Sequence, residues 1–186
     1  MQIIDLRADD ERFIQQAAKL LFEAFREHWP EAWPTVEAAE REVRESLAPE
    51  RISRIAVDED GAVLGWIGGQ PHYGGKVWEL HPLAVSRQAR RRGVGRALVA
   101  DLEVRARERG GLTLWLGTDD EDEMTSLAGV NLYADLLGHL AHIKNLKGHP
   151  FEFYQKLGFT IVGVMPDANG PGKPDIFMAK SLAPAR

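Results

Sequence analysis

The sequence contains no cysteine and no long apolar run. Without cysteine the chain can form neither a disulfide framework nor a thiolate metal site, which suits a reducing compartment. No segment approaches the roughly 18 apolar residues of a membrane-spanning helix, and the opening MQIIDLRADDERF lacks the basic and apolar regions of a secretory signal. These absences predict a soluble protein in the cytoplasm.

The charge balance is mildly acidic. The 186 residues include 23 Lys and Arg and 28 Asp and Glu, for a formal net charge of -5. This balance argues against a general nucleic-acid binder and allows a cationic partner, whereas the lack of a long apolar run predicts no membrane partner. Because the length suits one hydrophobic core and no internal repeat is present, we expect a single domain over residues 1–186.

Hydrophobic periodicity and turn residues predict the order β-α-α-β-β-β-α-β-α-α-β-β. A hairpin is predicted over Arg51–Gly69, and QPHYGGK (residues 70–76) is interpreted as a loop before a strand at Val77–Val85. A later helix is predicted from apolar residues at helical spacing, which are Leu132, Leu136, Leu137, Leu140 and Ile143. The order favours an α+β fold with a mixed sheet.

The predicted strand at residues 77–85 has two different faces. Glu79, His81, Leu83 and Val85 alternate with more apolar residues and therefore share one face. Pro82 has no amide hydrogen, so we expect the strand pairing to break or bulge near it. Backbone groups just beyond Pro82, notably the amides of Leu83 and Val85, are then free to bind a ligand.

A basic, glycine-containing segment follows at the predicted turn from strand to helix. Unpaired amides and the positive end of a helix dipole meet at such a turn, where glycine permits close approach and arginine adds charge-assisted contacts. The segment predicts a site for a pyrophosphate or nucleotide phosphate; the alternative is a solvated turn in which glycine only shapes the chain. Its residues are Arg90, Arg91, Arg92, Gly93, Val94, Gly95 and Arg96.

This segment resembles the acyl-CoA signature of the GCN5-related N-acetyltransferase (GNAT) superfamily, R/Q-x-x-G-x-G/A at the start of a helix. Arg90, Gly93 and Gly95 match it, and the segment FYQKLGF (residues 153–159) agrees. The resemblance implies a GNAT-like α/β fold of three layers, in which helices flank a mostly antiparallel, splayed sheet. It also implies acetyl-CoA as cosubstrate, with the pantetheine arm at residues 83–85, including Ala84, and the pyrophosphate at the glycine turn.

Five stretches resemble one group within that superfamily, the aminoglycoside 6'-N-acetyltransferases. They are WPE (29–31), WELHPL (78–83), GTDD (117–120), HPFEFY (149–154) and PDI (174–176). This resemblance implies acetylation of an aminoglycoside 6'-amine, a role in antibiotic resistance and a homodimer. The alternatives are the same chemistry on a polyamine or peptide amine, and an acyl-CoA-binding sensor without catalysis.

Direct transfer to an amine needs a base, a donor to the developing oxyanion and an acid for the departing thiolate. The resemblance implies Glu79 as base and Tyr154 as acid; an exposed strand carboxylate and a packing tyrosine are the alternatives. The Leu83 amide, beyond Pro82, is the candidate donor to the thioester carbonyl. His81 either orients water or substrate or is a hydrogen-bonded structural histidine.

Substrate-binding candidates lie in two loops. The acidic run DEDE after Asp119 would attract a polycation, with Asp119 and Asp120 inside a matched stretch; a solvated loop is the alternative. Trp29 and Glu31 can form a lid, or the tryptophans of that loop simply cover the core. Spaced histidines at 139, 142 and 149 lack a suitably placed carboxylate, so no metal site is predicted.

Overall fold

The computed structural model describes residues 1–183, which divide into two compact units. The first unit comprises residues 1–114 together with residues 182–183, and the second is Trp115–Ser181. The described residues form seven strands and five α-helices. Their order is the one predicted from the sequence, and the α+β class is confirmed.

The first unit contains four antiparallel strands in the order in which they occur along the chain. These strands are β1 (Gln2–Asp5), β2 (Ile52–Val57), β3 (Val63–His72) and β4 (Val77–Val85). Its helices are α1 (Glu11–Phe25), α2 (Val36–Glu45) and α3 (Val94–Glu108).

The second unit contains most of β5 (Thr113–Asp119), whose first two residues belong to the first unit. Its other strands, β6 (Thr160–Met165) and β7 (Asp175–Ser181), pair antiparallel, and β7 lies between β5 and β6 in the strand order. Its helices are the short α4 (Leu136–Ala141) and α5 (Phe151–Gln155).

Helices cover both faces of the sheet in the first unit. Trp66 of β3 belongs to the buried cluster that includes Ile14 and Leu21 of α1. Residues 65 and 69 lie on the opposite face of β3 from Trp66, and both are glycine. A Cβ at Gly65 would lie 2.8 Å from the Leu98 side chain of α3, so the missing side chains let this helix pack closely.

A β-bulge interrupts the pairing of β3 with β4 at Pro82, as predicted. Ile67 pairs with Leu83 and Gly69 with Leu80, so His81 and Pro82 together oppose Gly68 alone. The fit is tight, because a Cβ on Gly68 would lie 2.2 Å from the His81 carbonyl oxygen. The glycine therefore makes room for the extra residue on β4.

Two sequence predictions about element bounds were wrong. β3 does not end at Gly69 but continues to His72, because β2 ends its pairing with β3 at Gly69 and Pro71 lies beyond that point. The long helix over residues 132–143 is replaced by a 3₁₀ turn and by α4. Asp135 caps α4 by accepting a hydrogen bond from the Gly138 amide, and this new start leaves Leu137 76% exposed.

Substituting Gly68→Ala should lower the free energy of unfolding by about 1–3 kcal/mol, because the new methyl group overlaps the His81 carbonyl. The matched control is Gly163→Ala in β6, where an added Cβ would have its nearest neighbour, on Phe177, at 3.8 Å. The control should stay within about 0.5 kcal/mol of the parent in urea titrations. Equal stability of the two variants would contradict the packing at the bulge.

Candidate active site

Three of the predicted catalytic residues share one face of β4. Burial alternates along the strand, so that Glu79, His81 and Leu83 are half-buried whereas the residues between them are buried. The bulge at His81 and Pro82 lies in the middle of this face. Local pairing therefore places a carboxylate, an imidazole and a backbone amide beside an interruption in the sheet.

Glu79 has a histidine partner. Its Oε2 lies 2.8 Å from Nε2 of His72, and the two side chains are 21% and 40% exposed, respectively. Both groups therefore remain accessible to solvent while contacting each other. The carboxylate therefore has a hydrogen-bond partner in a segment that the sequence predicted to be a loop.

His81 contacts an aromatic cluster in the segment between α1 and α2. Its ring lies 5.9 Å from the ring of Trp33, measured between centroids, and Trp33 packs edge-on against Phe25 at 4.8 Å. Trp33 is half-buried against the hydrophobic core, which agrees with the interpretation of this tryptophan as a core cover.

The two proposed lid residues lie in the same segment. Trp29 is half-buried against Phe25, with its indole Nε1 buried and unpaired within residues 1–183. Glu31 is exposed.

The predicted phosphate site lies at the beginning of α3. Gly93 is the N-cap residue, with φ of +85°, and a Cβ there would meet no atom within 4 Å. The amides of residues 94–96 have no intrahelical partner at such a helix start. In the part of the chain that the structure describes, the surrounding arginines form no ion pair and are exposed; they are Arg90, Arg91, Arg92 and Arg96. This combination of free amides and cations fits the phosphates of CoA.

Tyr154 lies on α5 in the second unit and is 9% exposed. Its ring contacts those of Phe153, at 5.1 Å, and Phe159, at 5.7 Å. Burial raises the pKa of the Tyr154 phenol above its ordinary value of 10.0. The group therefore stays protonated at neutral pH and can donate a hydrogen bond, so packing and a donor role are compatible.

The end of β5 leads into a loop organised by Asp120. This side chain is fully buried, and its carboxylate oxygens accept hydrogen bonds from the amides of Met124 at 2.6 Å and Thr125 at 2.8 Å. Asp119, half-buried, accepts a hydrogen bond from the Asn169 side chain. The geometry leaves Asp119 nearer to solvent and gives Asp120 a structural task.

His149 is buried in the second unit, and its ring bonds in a defined orientation. Nε2 donates to the Asp119 carbonyl at 3.1 Å, while Nδ1 accepts from the Phe151 amide at 3.2 Å. Only the neutral Nε2–H tautomer satisfies both bonds. Burial lowers the pKa of His149, and this effect outweighs the hydrogen bond to the Asp119 backbone and the charges of Asp120 and Asp119, which act in the opposite direction.

Sequence reasoning missed His72 as a neighbour of Glu79. The signal that could have found it is the alternation of side chains between the two faces of β3, which continues through Gln70 to His72. Pro71 and the glycines that follow instead suggested a loop. Within residues 1–183 there is no group of three His, Cys, Asp or Glu side chains arranged for a metal ion. None of the helices in that part of the chain is long and apolar enough to cross a membrane.

The sequence pattern of the Acetyltransferase (GNAT) family matches residues 14–138, more than half of the chain. The chain belongs to the GNAT family. A search of curated proteins gave no match. The mixed α/β fold with seven strands is that of a GNAT protein.

Solved GNAT structures resemble this chain over its full length. An aminoglycoside 6'-N-acetyltransferase complexed with coenzyme A has 42% identity and a TM-score of 0.91, covering 100% of this chain and 99% of the other. The enzyme of that name from Enterococcus faecium has 42% identity and a TM-score of 0.89 at the same coverage. An aminoglycoside 6'-acetyltransferase type Ii has 38% identity and a TM-score of 0.76, with 100% of both chains covered.

The lowered pKa of His149 predicts a loss of stability in mild acid. The folded chain binds fewer protons at this site than the unfolded chain, so stability is full above the ordinary value of 6.5 and falls as the pH drops through it. The slope contributed by this group reaches at most about 1.4 kcal/mol per pH unit. Urea titrations between pH 8 and 5 should show a shallower slope for His149→Gln, but the parental slope for the exposed-site control His142→Gln. Parallel curves for all three proteins would contradict the assignment.

Proposed function

We propose that this chain is an N-acetyltransferase that transfers acetyl from acetyl-CoA directly to the 6'-amine of aminoglycosides. The observation that carries the proposal is the full-length similarity, at 42% identity, to an aminoglycoside 6'-N-acetyltransferase complexed with coenzyme A. Residues 1–186 then act as one functional domain, in the cytoplasm and as a homodimer. Modification of the antibiotic would make resistance the biological role.

Acetyl-CoA, when bound, supplies an acetyl thioester as the acyl donor. The free amides of residues 94–96 and the exposed arginines at 90–92 would hold its phosphates. Backbone groups of Leu83, Ala84 and Val85, just beyond the bulge, would bind the pantetheine arm. In this arrangement the start of α3 binds the phosphates of acetyl-CoA, and β4 orients its pantetheine arm.

The β4 face supplies groups for the chemical step. Glu79 takes a proton from the acceptor ammonium, directly or through water, because only the free amine is a nucleophile. The Leu83 amide donates a hydrogen bond to the carbonyl oxygen on which negative charge develops; one such donor contributes a factor of roughly 10²–10³ in kcat. His81, held against Trp33, orients the amine or its water.

Tyr154 acts on the departing sulfur. Burial raises the pKa of its phenol, so full proton transfer to a thiolate, whose conjugate thiol has a pKa of about 8.5, would be uphill. A hydrogen bond from the neutral phenol still stabilises the thiolate charge. We therefore assign Tyr154 the role of hydrogen-bond donor, with the proton released from the newly acetylated nitrogen available to the thiolate.

The acidic loop after β5 would attract the polycationic acceptor. Asp119 and the exposed carboxylates that follow it supply the negative potential. Asp120 contributes by holding the loop rather than by touching substrate, since its oxygens are buried against the amides of Met124 and Thr125. Trp29 and Glu31 would provide an apolar surface and a charge on the lid.

A matched pair of antibiotics tests the reaction and its position. Release of CoA thiol from acetyl-CoA should be rapid with neomycin, which carries a 6'-amine, and at least tenfold slower with paromomycin, which carries a 6'-hydroxyl. Equal release would move the acetylated amine elsewhere. Release with neither, alongside measurable acetyl-CoA binding, would reject the aminoglycoside proposal in favour of another amine or a sensor.

A second variant pair tests the phosphate site. Gly93→Glu should weaken acetyl-CoA binding at least tenfold, because it places a negative charge among the amides at the start of α3. The control Gly110→Glu introduces the same charge at a glycine with a similar φ, +81° against +85°, and with open space around its Cβ. Isothermal titration should give the control the parental Kd. If Gly93→Glu bound acetyl-CoA with the parental affinity, the assignment of the phosphate site to the start of α3 would be contradicted.

A further inference from the structure

We propose that His72 is a positioning residue for Glu79, which it holds with one carboxylate oxygen turned toward the acceptor amine. The inference rests on the proposed function, because it gives Glu79 the role of base. Nε2 of His72 lies 2.8 Å from Oε2 of Glu79, a distance typical of a charge-assisted hydrogen bond. Within residues 1–183 the Glu79 carboxylate has no second hydrogen-bond partner, so Oε1 accepts no hydrogen bond from the described residues.

The pairing of β3 with β4 brings the two residues together. Gln70 lies directly opposite Glu79. His72 is two residues further along β3, so it is a diagonal neighbour of Glu79 with its side chain on the same face of the sheet. The connection after His72 is a tight 3₁₀ turn over Tyr73–Gly75, closed by a hydrogen bond from the Lys76 amide to the Tyr73 carbonyl at 3.3 Å. The short connection fixes the register on which the contact depends.

The contact assigns different tasks to the two carboxylate oxygens. His72 donates its Nε2–H to Oε2 and keeps that proton throughout. The proton from the acceptor ammonium goes to Oε1, and the nitrogen lone pair forms the new bond to the acetyl carbon. The carbon–sulfur bond of the thioester breaks, the CoA thiolate leaves with that electron pair, and it takes up the second proton that the newly acetylated nitrogen loses. A carboxylate free to rotate would present Oε1 in this direction only part of the time, so the hydrogen bond reduces the reorganisation needed at the reaction step.

The contact is better suited to orientation than to stability. Both side chains are partly exposed, and ion pairs or hydrogen bonds at such sites add little to the free energy of folding. We therefore expect variants of His72 to unfold at nearly the parental urea concentration. Their effect should fall on kcat with a 6'-amine acceptor, and the Kd for acetyl-CoA should be unchanged.

The test compares His72→Phe, which keeps a planar ring but no donor, with His72→Gln, which keeps an amide donor. Loss of one hydrogen bond to a charged group predicts a fall in kcat of roughly tenfold for His72→Phe, and partial recovery for His72→Gln. The double variant His72→Phe with Glu79→Gln should be no slower than Glu79→Gln alone. A kcat within twofold of the parent, or equal losses in both Glu79 backgrounds, would overturn the inference.

A measurement without turnover separates this inference from the proposed function. Long-range ¹H–¹⁵N spectra at pH 8 should show the His72 proton on Nε2, and the Nε2 resonance should move in Glu79→Gln; an unchanged resonance would overturn the contact. If the spectra show the contact but the parent acetylates neither antibiotic, the proposed function fails. If Glu79→Gln is slow but His72→Phe is not, the base assignment stands and the positioning role fails.

Discussion

The arrangement of the candidate site depends on the missing amide hydrogen of Pro82. Because this residue cannot donate to a neighbouring strand, β4 accommodates one extra residue opposite Gly68, whose absent side chain leaves space for the His81 carbonyl. The bulge separates the Glu79 end of the strand from the Leu83 end without ending it. A single strand can therefore carry the proposed base at one point and the backbone groups proposed to bind the pantetheine arm a few residues later.

The charged and titratable groups of the candidate site fall into two kinds: exposed groups proposed to bind ligands, and buried groups that form hydrogen bonds to loop backbone. The arginines at the start of α3, which are proposed to bind phosphates, are exposed and form no ion pair within residues 1–183. Asp120 and His149 are buried, and their side chains form hydrogen bonds to backbone groups, Asp120 to the Met124 amide and His149 to the Asp119 carbonyl. The sequence motif alone does not tell the two kinds of group apart. Asp119 and Asp120 are adjacent in the stretch GTDD, yet Asp119 is half-buried and Asp120 is fully buried.

Local chemistry explains which parts of the site the sequence predicted. The alternation over residues 77–85 and the glycine turn before Val94 each depend on neighbours in sequence, and the structure confirms the strand, the bulge and the beginning of the helix. The contact between His72 and Glu79 depends on the register between β3 and β4. It also depends on the position of Pro71, which lies past the point where β2 stops pairing with β3. Pro71 and the following glycines, Gly74 and Gly75, therefore concealed this contact from sequence analysis.

The sequence by itself determined the element order, the α+β class and the resemblance to the GNAT family, because periodicity, turn residues and a short anion-binding signature are local properties of the chain. Only the tertiary structure decided which Asp is buried, that Trp33 packs against both the core and His81, and that His72 reaches Glu79. Burial and side-chain pairing result from contacts between segments distant in sequence, and neither composition nor spacing specifies those contacts.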